Sequence, residues 1–347
     1  MSSKTKSVTA VLIVLALVAG VGMTKAGSKY KTQDKVNLIF SNVTSNSAKK
    51  AGEKFKELVE EYSDGDITVD LFQDNQLGDD KTAAEGVQNG DIDIAVSSSS
   101  SLSTLYKDYY IYDTPYLFLN SQEVYDVGFD GKAAQEMLKG VSKVGLKHMT
   151  MWENGFRNYT NNDHAIETPA DCKGQKIRTM ENPIHLKAWK SIGANPTPMA
   201  FSELFTAMQQ GTVDGEENPI GIIYSNRFYE VQKYISLTQH VYTPYVVVMN
   251  PDKYDSLTDE QQEIIDKAMK EASAYQLEVS AKDEEEGLKE MEKYGCEVNT
   301  LTDDQKKEFQ KLIEDADVFS LAKSSMEHPD YFDKIQKELT QYREEGK

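Results

Sequence analysis

The sequence predicts an α/β protein of two domains, each a mostly parallel sheet flanked by helices, with one long helix running across both. Three observations predict it. Between Val36 and Val96, short apolar runs alternate with an amphipathic helical segment, the pattern of strand–helix–strand units joined by right-handed crossovers. A second such cycle starts at Lys176. From Thr258 to Gly295 a helical pattern runs without proline and with only Gly287 to interrupt it, too long to lie on one small domain. The 347 residues are enough for two cores.

The elements follow in order. Lys4 and Lys6 precede an apolar run from Val8 to Met23, with small residues near Ala26 and Gly27. Residues 1–26 therefore read as a secretory signal peptide, an uncleaved anchor being the alternative. Export across the cytoplasmic membrane follows, to the periplasm or the extracytoplasmic surface. "VNLIF" (36–40) reads as a buried strand. Ala48, Ala51, Phe55, Leu58, Val59 and Tyr62 then recur at three- and four-residue steps, one face of a helix. "ITVDLF" (67–72) is a strand, 80–88 a short helix and "IDIAV" (92–96) a third strand. Ligands of such sheets sit beyond the carboxyl ends of the strands, so the loops after Phe40 and Val96 are expected to face a cleft. In the second cycle "KIRT" (176–179) is strand-like, 184–192 and 201–210 are helical, "VDGEE" is a short strand and "YVVVMN" (245–250) an apolar one. Thr258 with Gln261 and Thr302 with Gln305 form capping boxes, and a last helix covers about 330–345. The expected division is 28–154 plus 244–283 for the first domain, and 155–243 plus 284–347 for the second.

Composition narrows the function. A net charge of -19 argues against a nucleic-acid partner, which needs a basic face, but not against a small anion held by local positive charge. The five histidines are scattered, and no zinc, EF-hand, P-loop, dinucleotide or nucleophile-elbow spacing occurs, so neither a metal, a cofactor nor a catalytic residue is assigned. Cys172 and Cys296 are the only cysteines; disulfide and free thiols both stay open. Asp79-Asp80 and Glu284 to Glu286 read as solvated faces. In an arginine-poor chain, Arg157 in "NGFRNYTNN" and Arg178 in "KIRTMENP" stand out, because a guanidinium fork matches a carboxylate; an ion pair within the protein is the competing reading. Glu216 and Glu217 suggest a rival from another class, an extracellular glycoside hydrolase. Neighbours on a strand point to opposite faces, however, and cannot easily flank one glycosidic bond.

The run "GANPTPMAFSELFTAMQQGTVDGEENP" (193–219), preceded by "KGQKIRTMENP" (173–183), resembles the solute-binding subunit of TRAP transporters, the DctP family. "NQLGDD" (75–80), "NGFR" (154–157), "YEVQKYISLTQH" (229–240) and the start of the long helix fit as well, so the resemblance spans about 35–345. It implies a periplasmic-binding-protein-like fold of type II, and a monomer, not an enzyme, that closes around an organic acid and delivers it to a membrane permease. It matches the family's carboxylate-binding arginine to Arg178, a second arginine to Arg157, the asparagine of the E-N-P tripeptide to Asn218 and the aromatic wall to Phe201. Asn182 is a further ligand candidate or a helix cap. The first domain is expected to contribute Asn42 and Ser45 after its first strand and Ser98 and Ser101 after its third. Trp152 either stacks on a sugar ring or packs in the core. Glu217 is expected to orient an arginine. In sialic-acid-binding relatives charged residues stand where this chain has serines, so a hexuronate or other sugar acid is the expected ligand and a C4-dicarboxylate the alternative. A sensor-coupled carrier would use the same binding physics.

Overall fold

The computed structural model describes residues 35–346, so the expected signal segment lies outside the described residues. Eleven strands among the described residues form two sheets. The first contains β1 (Val36–Ser41), β2 (Ile67–Phe72), β3 (Ile94–Ser98), β4 (Lys147–Trp152) and β10 (Tyr245–Met249), in the order β2-β1-β3-β10-β4. The second contains β5 (Phe156–Asn161), β6 (Lys176–Thr179), β7 (Asn195–Pro198), β8 (Gly215–Pro219), β9 (Tyr234–Tyr242) and β11 (Glu297–Thr300), in the order β11-β9-β5-β8-β6-β7. Each sheet has one strand reversed against both neighbours: β10 in the first and β5 in the second. Both follow directly on a change of sheet, β4 to β5 through Glu153–Gly155 and β9 to β10 through Thr243–Pro244. The two connections are bonded to each other, Thr243 N donating to Gly155 O at 3.2 Å.

The helix Asn46–Tyr62 buries Ala48, Ala51, Phe55, Leu58 and Val59, the stripe that the periodicity predicts, with Tyr62 half-buried at its end. Phe55 meets Phe40 of β1 edge-on at 5.5 Å. Burial of one such side chain contributes about 1.5–3 kcal/mol. The third strand starts later than its apolar run suggests and continues to Ser98, because Ser97 and Ser98 pair with Val246 and Tyr245 of β10.

The long helix runs from Asp259 to Tyr294, opened by the Thr258–Gln261 capping box and closed by Gly295 at φ 109°. It serves both sheets. Its first half buries Ile265, Ala268 and Ala272 and packs on the helix Asn46–Tyr62 and on β4. Further along, Gly287 lies under the helix Ile220–Ser225, where a Cβ would stand 3.0 Å from Tyr224 Cβ. Gln276, fully buried between these halves, accepts from Glu153 N at 2.9 Å and donates to Glu153 O at 2.7 Å, fixing the β4–β5 connection. The C-terminal helix Asp330–Glu344 packs on the segments Val124–Phe129 and Lys132–Leu138, and Arg343 pairs with Glu123. No helix among the described residues is long and apolar enough to cross a membrane. Cys172 and Cys296 are both buried and free, and burial pushes the Cys172 thiol up to about 12.

Candidate functional site

Topology places the site. The carboxyl ends of β1, β3, β6, β7 and β8 converge on one cleft, and the two reversed strands reach the same place with their first residues. Thr44 follows β1, Ser98 ends β3, Met180 follows β6, and Met199 to Phe201 follow β7. The reversed strands contribute Arg157, second residue of β5, and Tyr245, first residue of β10. The cleft holds about 850 Å³ of empty space, its open mouth included.

The two arginines are in different chemical states. Arg157 is 1% exposed. Its Nε donates to Glu217 Oε2 at 2.5 Å and its Nη2 to Glu217 Oε1 at 2.9 Å and to the Glu217 carbonyl. Glu217 also accepts from His240 Nε2 at 3.0 Å. Because an ionised carboxylate only accepts, His240 carries its proton on Nε2, and Nδ1 accepts from Thr238 Oγ1 at 2.8 Å. Burial opposes the charge on Glu217, but the Arg157 guanidinium and the bonds from His240 and Arg157 hold its carboxyl well below the usual range.

Arg178 is equally buried, at 2% exposure, yet forms no ion pair among the described residues. Its Nε and Nη2 donate to the Met199 carbonyl at 3.2 and 2.9 Å, and its guanidinium carbon lies 5.9 Å from the Phe201 ring centre. Nη1 is left for the cleft. Burial, and then the neighbouring charge of Arg157, push Arg178 down to about 10. The cleft therefore presents one unpaired guanidinium, the state in which a carboxylate is bound best.

Six of the expected ligand residues line this cleft together: Arg178, Arg157, Asn218, Phe201, Ser98 and Ser101. Asn218 donates from Nδ2 to Glu216 Oε2 at 2.5 Å, and its Oδ1 makes no hydrogen bond among the described residues. Five expected residues do not line it. Asn182 caps the helix Pro183–Ser191 through Ile184 N at 2.9 Å and donates to Asp113 Oδ2 at 2.7 Å and Ser100 Oγ at 2.9 Å, which satisfies both ends of its amide. Asn42 braces the turn after β1, donating to Ala48 O at 2.7 Å and accepting from Val43 N at 2.9 Å. Ser45 is the N-cap of the helix Asn46–Tyr62. Trp152 is a core residue, 1% exposed, its indole N–H on Ser273 Oγ at 2.9 Å. Glu217 lies behind Arg157 as its partner.

Sequence reasoning missed Tyr245, Asn154, Met180 and Asp80. Asp80 is no solvated-face residue: it stands at the start of the helix Asp80–Asn89, and its Oδ2 accepts from Ser98 N at 2.7 Å. Burial pushes its carboxyl up to about 6.

The model of the bacterial extracellular solute-binding proteins of family 7, DctP, matches residues 40–317. The chain is a family 7 solute-binding protein. It is 38% identical over 250 residues to the 2,3-diketo-L-gulonate-binding periplasmic protein YiaO of Escherichia coli, covering 72% of this chain and 76% of the relative. It is 33% identical over 263 residues to the C4-dicarboxylate-binding protein DctB of Bacillus subtilis, covering 75% of each. Among solved structures, the sugar acid binding protein DctPAm of Advenella mimigardefordensis in complex with galactonate superposes with a TM-score of 0.84 at 30% identity, over 89% of this chain and 99% of that one. The fold, two helix-flanked sheets with a cleft between, is that of TRAP periplasmic solute-binding proteins. A solute-binding protein of this family is not an enzyme, and the pairing of Glu216 and Glu217 with Asn218 and Arg157 gives both carboxyls a structural task in place of the hydrolytic one.

Proposed function

We propose that this solute-binding protein captures a hydroxyl-bearing monocarboxylate, a hexuronate or other sugar acid, and hands it to a TRAP membrane permease. The observation that carries the reading is the difference between the two arginines. Arg157 is neutralised by Glu217, so only Arg178, bonded to the Met199 carbonyl and to no carboxylate among the described residues, offers an unneutralised guanidinium, enough for one carboxylate. The remaining walls suit hydroxyl groups: Ser98, Ser101, Thr44 and the Asn218 carbonyl oxygen can bond them, while Phe201 and Tyr245 supply apolar faces. Relatives support the class, including TRAP solute-binding proteins with bound β-D-glucuronate and β-D-galacturonate.

The C4-dicarboxylate reading rests on Lys81, which lines the cleft, and on a relative with bound succinate. A second carboxylate, however, would also meet Asp79, Asp80 and Glu181. The protein works as a monomer outside the cytoplasmic membrane, and closure rotates the domains 28–154 plus 244–283 and 155–243 plus 284–347 about their shared connections. The test is a thermal-shift panel of aldonates, hexuronates, succinate and malate, followed by calorimetry. A ligand at about 100 times its Kd adds about 2.7 kcal/mol to apparent stability. Binding of succinate or malate with no response to any sugar acid would sink the monocarboxylate reading.

A further inference from the structure

Glu216, beside the cleft, presents a hydrogen-counting problem. It is fully buried on β8, next to Thr160 of β5. Thr160 Oγ1 stands 3.1 Å from Glu216 Oε1 and 3.0 Å from Gln232 Oε1. Gln232 is also buried, and its Nε2 donates to Val231 O at 2.9 Å, so its Oε1 faces Thr160 as an acceptor. A hydroxyl has one proton. If Glu216 were ionised, two acceptors would compete for that single proton, and one would be left buried against a lone pair, at a cost comparable to a lost hydrogen bond. The conflict vanishes if Glu216 carries a proton on Oε1. Glu216 then donates to Thr160, Thr160 donates to Gln232, and Glu216 Oε2 remains the acceptor for Asn218 Nδ2 at 2.5 Å.

We propose that Glu216 is held as a neutral acid and acts as a positioning residue, fixing Asn218 with its carbonyl oxygen toward the cleft and linking capture of an organic anion to the uptake of a proton. The surroundings agree. Burial and the charge of Glu217 favour the neutral form, opposed by the Asn218 bond and by Arg157 and Arg178, and the balance leaves the carboxyl at about 7. The ionisable groups that face it are Glu217 on its own strand, Arg157 and Tyr159 on β5, and Arg178 on β6. An anion bound on Arg178 takes up the positive potential that would otherwise stabilise ionised Glu216. The bound state therefore raises the carboxyl midpoint, and a proton is drawn from solvent. Affinity is full below the midpoint of the ligand-free protein and falls as pH rises through that of the complex. At high pH the proton is lost to solvent, Thr160 turns its own proton to Glu216, and Gln232 Oε1 loses its partner.

The linkage rests on the proposed capture of a carboxylate; the protonation state does not, and the experiment separates them. Carboxyl carbons of ¹³C-glutamate-labelled ligand-free protein are followed by NMR, with Glu216→Gln identifying the signal. The expected result is a protonated Glu216 in mildly acid buffer that titrates near neutrality. A midpoint in the ordinary glutamate range overturns the proposal whatever the protein binds. Calorimetry with galactonate or glucuronate follows, from about pH 6 to about pH 9, in buffers of different ionisation enthalpy. Wild type is expected to take up protons on binding and to weaken about tenfold, the equivalent of a midpoint shift of about one unit. Glu216→Gln, which keeps the shape without the titration, is expected to bind with the acid-limb affinity of wild type and to lose that part of the pH profile. A variant profile as steep as that of wild type overturns the linkage. If neither sugar acid nor dicarboxylate binds at any pH, the reading of the cleft fails and the linkage with it, while the NMR midpoint still decides the protonation state.

Discussion

Replacing Glu217 by Gln tests what holds the cleft's rear wall together. The side chain changes little in shape, but Arg157 loses its counter-charge while remaining 1% exposed. An amide has one acceptor oxygen where the carboxylate has two, so either the bond from Arg157 Nη2 at 2.9 Å or those from Arg157 Nε at 2.5 Å and His240 at 3.0 Å give way to a contact between donors. Hydrogen bonds to charged groups contribute about 1.5–3 kcal/mol each. Breaking a buried ion pair from one side costs about 3–5 kcal/mol, because the remaining charge cannot reach water. The variant should therefore unfold about 3–5 kcal/mol more easily, and so should Arg157→Met, which leaves Glu217 with His240 alone. Combining Arg157→Met with Glu217→Gln removes both charges, and much of the loss should be recovered, as a coupling energy of about 3 kcal/mol or more in a double-mutant cycle. Urea unfolding of ligand-free protein at neutral pH, followed by circular dichroism, measures all four corners. A Glu217→Gln loss below about 1 kcal/mol, or costs that simply add, would refute the reasoning, since surface pairs behave that way.

Arg178→Ala should weaken capture of the cognate acid by about 2–5 kcal/mol, and Arg178→Lys should also weaken it because the planar fork is lost; unchanged affinity of the Ala variant by calorimetry removes Arg178 from the site. Burial raises Glu153 and Glu216 from the ordinary 4.5 to about 7. A raised carboxyl midpoint contributes stability that is present below the unfolded value and lost as pH rises through the folded one, so unfolding free energy should fall between about pH 4.5 and pH 7, by on the order of 3 kcal/mol per group. Glu153→Gln, at the crossing between sheets, should remove its share of that slope in denaturation curves collected across this range; an unchanged slope would count against a raised Glu153. Trp152→Phe should lose about 1–3 kcal/mol of stability through the missing Ser273 bond and reduced packing, with ligand affinity unchanged; a comparable loss of affinity in the folded variant would return Trp152 to the ligand.

What the sequence made legible follows the range of the interactions. The helix Asn46–Tyr62 and the caps of the long helix are local patterns, and they stand where periodicity and capping chemistry put them. Arg178 was legible because it ends a strand of a parallel sheet, where clefts form. Asn42 and Ser45 satisfy the same rule but serve the backbone instead: a short polar side chain beside a helix start caps it as readily as it binds a ligand, and sequence alone does not rank the two. Asp80 was read by composition, whereas its place at a helix start following a strand aims it back at the strand ends. Tyr245 and the Arg157–Glu217 pair depend on β5 and β10 being reversed and on the β5–β8 register, which places Tyr159 opposite Glu217 and Arg157 opposite Pro219. These are long-range pairings that no local pattern contains.

The charge of the chain and the charge of the cleft pull in opposite directions, and Arg178 resolves the conflict. A protein with a net charge of -19 repels an approaching anion, but screening limits that field to about 8–10 Å at physiological ionic strength. Within the cleft the local cation dominates. Arg178 is lowered from 12.5 to about 10 because it is buried beside Arg157 without a carboxylate of its own. At 1.36 kcal/mol per unit, that shift is on the order of 3 kcal/mol by which the empty cleft disfavours its own guanidinium. In the proposed reading a bound carboxylate offsets the repulsion from Arg157 but not the cost of burial. If the proposed site is right, a neutral sugar of the same shape could fill the serine-lined walls but would leave Arg178 without a counter-charge, and it should bind more weakly than the acid.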